Sequence, residues 1–334
     1  YHEHYSDEQI NPLYPLPEGM SLEEFRAPLR QLIESSDKVI FPSKATKILF
    51  SHIYSPKNTV ITPHVELHRN VQAKIIPFVK KENYTIGILG ALGREKGADL
   101  LERLAITAEK EKLPFQFKLL GYAYRPLDLV FTTGPYSPYQ LSSLINEQDV
   151  DIIFFPAQWP ETYSYTLSYA LNSGLPIIAP LLGAFTERLS GRDNTLTFDH
   201  LSPVEKLTEE IHSFIEKLDK GKVIKSTSPS NKQPVNNFYE HLYIKIVAKN
   251  TTSIDLNSST AILQQHKWLF NSENTNPNQG WRETTLSILW HIYMHKSMQK
   301  IAHAIPFEFK RYVKRTLSHR PMYEVIHQQS SKKP

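Results

Sequence analysis

Glu161 is the side chain in this sequence whose setting most readily does chemistry. It stands where a Pro- and Trp-containing loop, 156 to 160, enters a segment with helical spacing, Thr162 to Asn172. The first turn of a helix offers backbone N–H groups with no intrahelical acceptor, and these make an anion site. A carboxylate beside such a helix start suits a ligand that carries both hydroxyls and phosphates, as a nucleotide-sugar does. The plainer reading of Glu161 is an N-terminal charge favoured by the helix dipole, and one residue can do both. Other chemistries have less to stand on. The chain has no cysteine, which excludes thiolate nucleophiles, Cys-based zinc sites and disulfides. His2 and His4, in HEH, are only two residues apart on an irregular segment. That is a weak metal pattern, and a surface or packing role is the simpler one.

The elements that must hold Glu161 read clearly. Asp151 to Phe155 is a short apolar strand bounded by Pro156. The helix after Glu161 carries Tyr163, Leu167, Ala170 and Leu171 on one side, Gly174 stops it, and Ile177 to Ala179 resumes as strand. Upstream, YTIGILG from Tyr84 is a strand, 90 to 97 a Gly-rich turn, and Ala98 to Lys112 an amphipathic helix. Further strands are expected at Phe115 to Leu120, Val130 to Thr133 and Leu196 to Phe198, with helices at Pro138 to Glu147 and Val204 to Leu218. This alternation predicts an α/β fold with a parallel sheet covered on both faces, its ligand crevice at the carboxyl ends of the strands. The turn at 90 to 97, Gly121, Gly134 and Glu161 all fall at those ends.

Before this unit, residues 1 to 28 read as irregular and acidic, with prolines at 12, 15, 17 and 28. A short helix from Leu29 to Ser36, a strand from Lys38 to Phe41, a helix from Lys44 to Tyr54 capped by Ser43 and a strand from Val60 to Thr62 follow. The division expected is 1–65 for a partial first domain, 66–83 for a linker, 84–222 for the main domain and 223–334 for a helical extension with polar linkers. In the extension, helices are expected over Phe238 to Lys249 and Trp281 to Met298, with Ala261 to Phe270 lying between two polar stretches.

Composition sets the outer bounds. At 334 residues, with 40% hydrophobic and 22% charged residues, the chain has the make-up of a globular protein with room for two domains. A formal charge of +4, with no basic run interleaved with aromatics across the body, argues against nucleic acid as a partner. No apolar run reaches the roughly 18 residues a membrane helix needs. The start, YHEHYSDEQ, is neither a signal peptide nor an initiator Met, so a longer protein is expected around this sequence. The tail at 309 to 321 is basic with interspersed apolars, and reads either as a solvated helix or as a helix resting on an anionic membrane surface.

Four segments together resemble family 4 of the glycosyltransferases, the retaining enzymes of the GT-B fold, and within it the bacterial polysaccharide or O-antigen type. They are SSDKVIFPSKAT at 35 to 46, IGILGALGREKGADLL at 86 to 101, the GPY at 134 to 136, and FPAQWPETYSYTLSYALNSGLPIIAP at 154 to 180 followed by GAFTERL at 183 to 189. The resemblance covers about Ser35 to Leu218 and implies two Rossmann-like domains facing across a cleft. The second, complete here, would bind a nucleotide-diphosphate sugar. The first, which would bind the acceptor, is represented only from near the end of a middle strand.

By this resemblance Lys96 contacts the donor diphosphate, a task that suits a flexible point charge. Gly90 and Gly93 let the backbone approach the phosphates. Arg94 adds a second cation, although the family often places its Arg elsewhere in this turn. Gly134 and Tyr136 belong to the donor side. Glu161 corresponds to the first Glu of a motif of two glutamates separated by seven residues, and contacts the transferred sugar. Thr162, Tyr163, Ser164 and Tyr165 follow it, with the N–H groups of the last three meeting the diphosphate. The second motif Glu accepts hydrogen bonds from both ribose hydroxyls, and this sequence has Tyr169 in its place. A phenol carries no charge at neutral pH and cannot replace both contacts.

His2 and His64 fall on the acceptor side of the cleft in the same comparison. No metal or other cofactor is expected. The expected partners are the nucleotide-sugar and a glycan or lipid-linked acceptor, in the cytoplasm or peripherally at the inner membrane surface. A degenerate, non-catalytic module that keeps nucleotide or glycan affinity is the alternative that Tyr169 and the incomplete first domain favour. A nucleotide-sugar epimerase or dehydrogenase ranks below both, because Gly87, Gly90 and Gly93 lack the G-x-G-x-x-G spacing. The plain alternatives for Lys96 and the glycines are a solvated lysine and an ordinary strand-to-helix turn.

Overall fold

A computed structural model describes residues 21–64, 76–224, 279–295, 305–318 and 325. The chain falls into two compact units, one within 1–235 and the other within 236–334.

The first unit opens with helix α1, Leu22–Ser35. Ser21 and Glu24 form a reciprocal capping box: the Glu24 amide donates to Ser21 Oγ at 3.2 Å, and the Ser21 amide donates to Glu24 Oε2 at 2.7 Å. The helix therefore starts seven residues before the expected Leu29 and carries Pro28 within it. Strand β1, Val39–Phe41, helix α2, Lys44–Ser51, and strand β2, Thr59–Ile61, follow as expected. Ser43 caps α2, its Oγ accepting from the Thr46 amide at 3.1 Å. β1 and β2 pair in parallel.

The larger part of this unit is a six-stranded, all-parallel sheet. It is built from β3 (Tyr84–Leu92), β4 (Phe115–Ala123), β5 (Phe131–Thr132), β6 (Ile152–Phe154), β7 (Ile177–Pro180) and β8 (Thr195–Phe198). Helices α3 (Ala98–Lys110), α4 (Leu141–Glu147), α5 (Tyr165–Ser173), α6 (Ala184–Arg188) and α7 (Val204–Asp219) lie between and after them. The spatial order is β5-β4-β3-β6-β7-β8. Counted from β3, that is the doubly wound order 3-2-1-4-5-6. The α/β class and the parallel sheet agree with the sequence reading.

Alternation along the strands sends side chains into two cores. Ile86, Ile88, Phe117 and Phe154 pack with Leu104 of α3 and Ile211 and Phe214 of α7 on one face. Leu89, Leu120, Ile153 and Ile177 pack with Leu141, Leu167 and Phe185 on the other. Each fully buried Ile, Leu or Phe contributes about 1.5–3 kcal/mol, so both faces anchor the sheet. Gly174 ends α5 in the left-handed conformation, φ 72°, as its place in the sequence predicts.

In the second unit, α8 (Gln279–Met294) packs against α9 (Phe307–Leu317). Lys310 Nζ donates to Tyr293 Oη at 3.0 Å, and Ser318 Oγ donates to the buried Glu283 carboxylate at 3.2 Å. The helix expected at 238 to 249 lies outside the described residues. Among the described residues, no helix is long and apolar enough to cross a membrane.

Candidate donor site at the switch point of the sheet

The strand order reverses between β3 and β6, and ligands of open α/β sheets bind outside the carboxyl ends at such a point. The two loops that leave β3 and β6 are joined there. The Gln158 and Trp159 amides both donate to the Glu95 carbonyl, at 2.9 and 3.2 Å. Gly97 is left-handed, φ 85°, and packs so tightly on Pro156 that a Cβ would collide with the Pro156 carbonyl. Gly93 leaves room for the Glu95 carboxylate, which a Cβ would strike. These contacts fix the turn that carries Lys96 against the loop that carries Glu161. Lys96 Nζ stands 3.5 Å from Glu161 Oε1. The lysine side chain is 50% exposed and the glutamate 24%, so both remain open to a ligand.

The Glu161 backbone is tied down from the next loop. Its carbonyl accepts from the Ala184 amide at 2.9 Å, and Gly183 sits where a Cβ would press on Glu161 and Pro160. Helix α5 begins at Tyr165, three residues later than the sequence spacing suggests. The reason is Ser164, which takes φ 64°, ψ 91°, outside the helical region, as the buried N-cap. Thr162 and Tyr163 thus form a short loop between Glu161 and the helix. The Leu167 amide donates to the Ser164 carbonyl at 3.2 Å, while the first turn keeps N–H groups beyond the reach of intrahelical acceptors.

Gly90, at the end of β3, has φ 110°, and a Cβ there would lie 3.4 Å from Thr166 Cγ2 and 4.0 Å from the Tyr136 hydroxyl. The end of β3, the first turn of α5 and Tyr136 therefore converge. Gly134, φ 88°, donates its amide to the Gly121 carbonyl at 2.8 Å and leads the chain to Tyr136. Burial pushes the Tyr136 phenol above its ordinary pKa, with Tyr169 and Tyr122 adding to the shift. Tyr136 and Tyr169 both pack against the second core. Position 169 thus lies beside the group of residues around Gly90, on α5.

Arg94 faces another way. Its Nε donates to the Tyr124 hydroxyl at 3.2 Å, lies 3.9 Å from Asp99 Oδ2, and its guanidinium sits over the Tyr124 ring. Arg125 anchors the same cluster through Glu102 and Asp99, and Glu102, with the Tyr124 hydroxyl, raises its pKa further. The structure therefore brings Lys96, and not Arg94, to Glu161.

His64 lies at the loop before α5. Its ring stacks on Tyr165 at 5.5 Å and meets Tyr163 edge-on at 5.1 Å, and its carbonyl accepts from the Tyr163 hydroxyl at 3.4 Å. His2 lies outside the described residues. Among the described residues, no group of three or more His, Asp or Glu is arranged to hold a metal ion.

Two neighbours in the sequence, Glu187 and Arg188, were not singled out by the sequence reading. The Glu187 carboxylate accepts from the amides of Lys44 and Ala45, at 3.1 and 3.4 Å, at the start of α2. Thr46 Oγ1 donates to the Thr162 carbonyl at 3.2 Å. Arg188 Nη1 donates to the carbonyls of Tyr163 and Ser164 at 3.0 and 2.9 Å, and Nη2 donates to Ser168 Oγ at 2.9 Å. Its guanidinium also covers the Tyr163 ring at 4.1 Å. The segment GAFTERL held these two residues, but long-range bonds to backbone groups leave no periodic trace in a sequence.

No family model matches the chain, and no curated protein matches it in sequence. Several solved structures are similar in arrangement. TarM is 13% identical, over 61% of this chain and 41% of its own, with a TM-score of 0.45. HepE of Anabaena, in complex with UDP-glucose, is 17% identical, over 61% of each chain, with a TM-score of 0.45. Sucrose-phosphate synthase from Thermosynechococcus elongatus is 14% identical, over 63% of this chain and 56% of its own, with a TM-score of 0.42. The chain spans between 41% and 61% of the length of these proteins. Likeness at this level carries no conclusion about activity.

Proposed function

We propose that the crevice between β3 and β6 is the donor site of a retaining GT-B glycosyltransferase. It takes a nucleoside-diphosphate sugar and passes the sugar to a hydroxyl of a glycan or lipid-linked acceptor. The observation that carries this reading is the approach of Lys96 to Glu161 at 3.5 Å, at the switch point of the sheet and beside the start of α5. In this reading the ammonium of Lys96 and the N–H groups at 163 to 165 hold the diphosphate. They compensate the charge that grows on it as the bond to the sugar breaks, which is electrostatic catalysis without a protein nucleophile. Glu161, held by its backbone, points its carboxylate at the hydroxyls of the departing sugar. No metal is needed for that division of labour. His64 lies on the acceptor side, and the basic α9 gives a peripheral contact with the inner membrane surface.

One observation favours a second reading, a nucleotide-binding module without turnover. Tyr169 packs on the same core as the half-buried Tyr136, so in this reading the ribose side of the crevice has a phenol where the family's carboxylate would accept two hydrogen bonds. Calorimetric titration with UDP, GDP and ADP tests the shared core of both readings. At least one diphosphate should bind more tightly than its nucleoside, and Lys96→Ala should abolish that preference. Glu161→Ala should leave diphosphate affinity nearly intact and remove transfer or hydrolysis of the matching nucleotide-sugar. No binding of any of the three at millimolar concentration would end the donor-site proposal.

A further inference from the structure

We propose that Arg188 is a positioning residue of this donor site, acting through the backbone of Tyr163 and Ser164; the inference rests on the donor-site reading above. A trans peptide unit points its C=O and N–H in opposite directions. Arg188 Nη1 draws the carbonyls of both Tyr163 and Ser164 to itself. The other ends of those two units, the N–H groups of Ser164 and Tyr165, must then point away from Arg188. Bringing two successive carbonyls to one nitrogen needs a sharp change of direction at the residue between them. Ser164 supplies it with φ 64°, a conformation that L residues rarely adopt and that a surrounding structure must hold. Arg188 is the side chain that holds it. Its second nitrogen is braced by Ser168 on α5, and its plane lies against the Tyr163 ring.

Successive N–H groups facing one side form a concave anion seat. Here the seat adjoins the first turn of α5 and lies a few residues beyond Glu161, whose carboxylate meets Lys96. The positive charge of Arg188 is thus spent on carbonyls, on the far side of the peptide plane from the diphosphate. The contribution to the ligand is orientation, and it should show in binding of the diphosphate and not of the nucleoside.

The test compares wild type, Arg188→Met and Ser168→Ala by calorimetric titration with the diphosphate that binds best and with its nucleoside. Folding is followed by circular dichroism. Arg188→Met should weaken the diphosphate by roughly ten- to hundredfold, the scale of lost hydrogen bonds to a charged group, with nucleoside affinity unchanged. Ser168→Ala, which removes the hydroxyl that accepts from Nη2, should give a smaller loss of the same kind. Equal loss for diphosphate and nucleoside, or no loss in a folded Arg188→Met protein, overturns the proposal. Should Arg188→Met fail to fold, Ser168→Ala decides: a loss confined to the diphosphate supports the role and unchanged binding overturns it. If wild type shows no preference for the diphosphate, the donor-site reading itself fails, and this inference goes with it.

Discussion

At position 169 the chain carries a phenol where the resembling family carries its second glutamate. Tyr169 packs against the same core as the half-buried Tyr136 and adds to the raised pKa that burial of its phenol chiefly causes. A neutral hydroxyl can make one ribose contact, whereas a carboxylate accepts two and does so more strongly. Tyr169→Glu should therefore raise affinity for a ribonucleoside diphosphate about tenfold, on the scale of one hydrogen bond to a charged group, and leave the 2′,3′-dideoxy analogue, which lacks both hydroxyls, almost unchanged. Equal effects on both nucleotides would show that residue 169 does not face the ribose. Glu161 could be singled out from the sequence because it sits where a loop enters a helix beside a strand end, and Lys96 because the Gly-rich turn it follows resembles the family's. Arg188 could not, because its partners are carbonyls and a hydroxyl at 163, 164 and 168, contacts that only the folded loop creates.

Elements came out of the sequence in proportion to how local their cause is. The strands β6 and β7 are apolar runs, β4 and β8 alternate with polar residues, and each strand of the large sheet lies within a few residues of where it reads. Three helix starts moved by three residues or more, among them α4, which begins at Leu141 because Pro138–Gln140 forms a separate 3-10 turn. Helix α1 begins at Leu22 because the Ser21–Glu24 capping box outweighs Pro28, and that S-x-x-E signal stood in the sequence unread. Helix α5 begins at Tyr165 because Arg188 and the Thr46 bond hold the loop before it out of helical geometry, a cause far away in sequence. The five-residue α6 is too short to show a period.

The joint between the turn after β3 and the loop after β6 depends on Gly97. It combines φ 85° with a close approach to the Pro156 carbonyl. Gly97→Ala should destabilise the fold by more than the about 1–2 kcal/mol that left-handed geometry alone costs a residue with a Cβ. Gly191, φ 67° with open space around it, gives the control, and Gly191→Ala should show only the conformational cost. Equal losses in urea denaturation would mean that the two loops are not packed as described.

On the scale of the whole chain, the first layer and the large sheet meet at the loop before α5. Glu187 holds the start of α2, Thr46 holds Thr162, and His64 stacks on Tyr165. The strands of both layers were legible, but this joint was not, because each bond in it spans about 100 residues or more. It places Thr46 and His64 directly beside the loop that leads from Glu161 to the helix. The most direct test of the central claim is a crystal structure of this chain soaked with the nucleoside diphosphate that binds best. Phosphate oxygens are expected within hydrogen-bond distance of the Ser164 and Tyr165 amides and of Lys96 Nζ, at the carboxyl ends of β3 and β6. A diphosphate bound anywhere else on the chain, with those amides and Lys96 untouched, would contradict that claim.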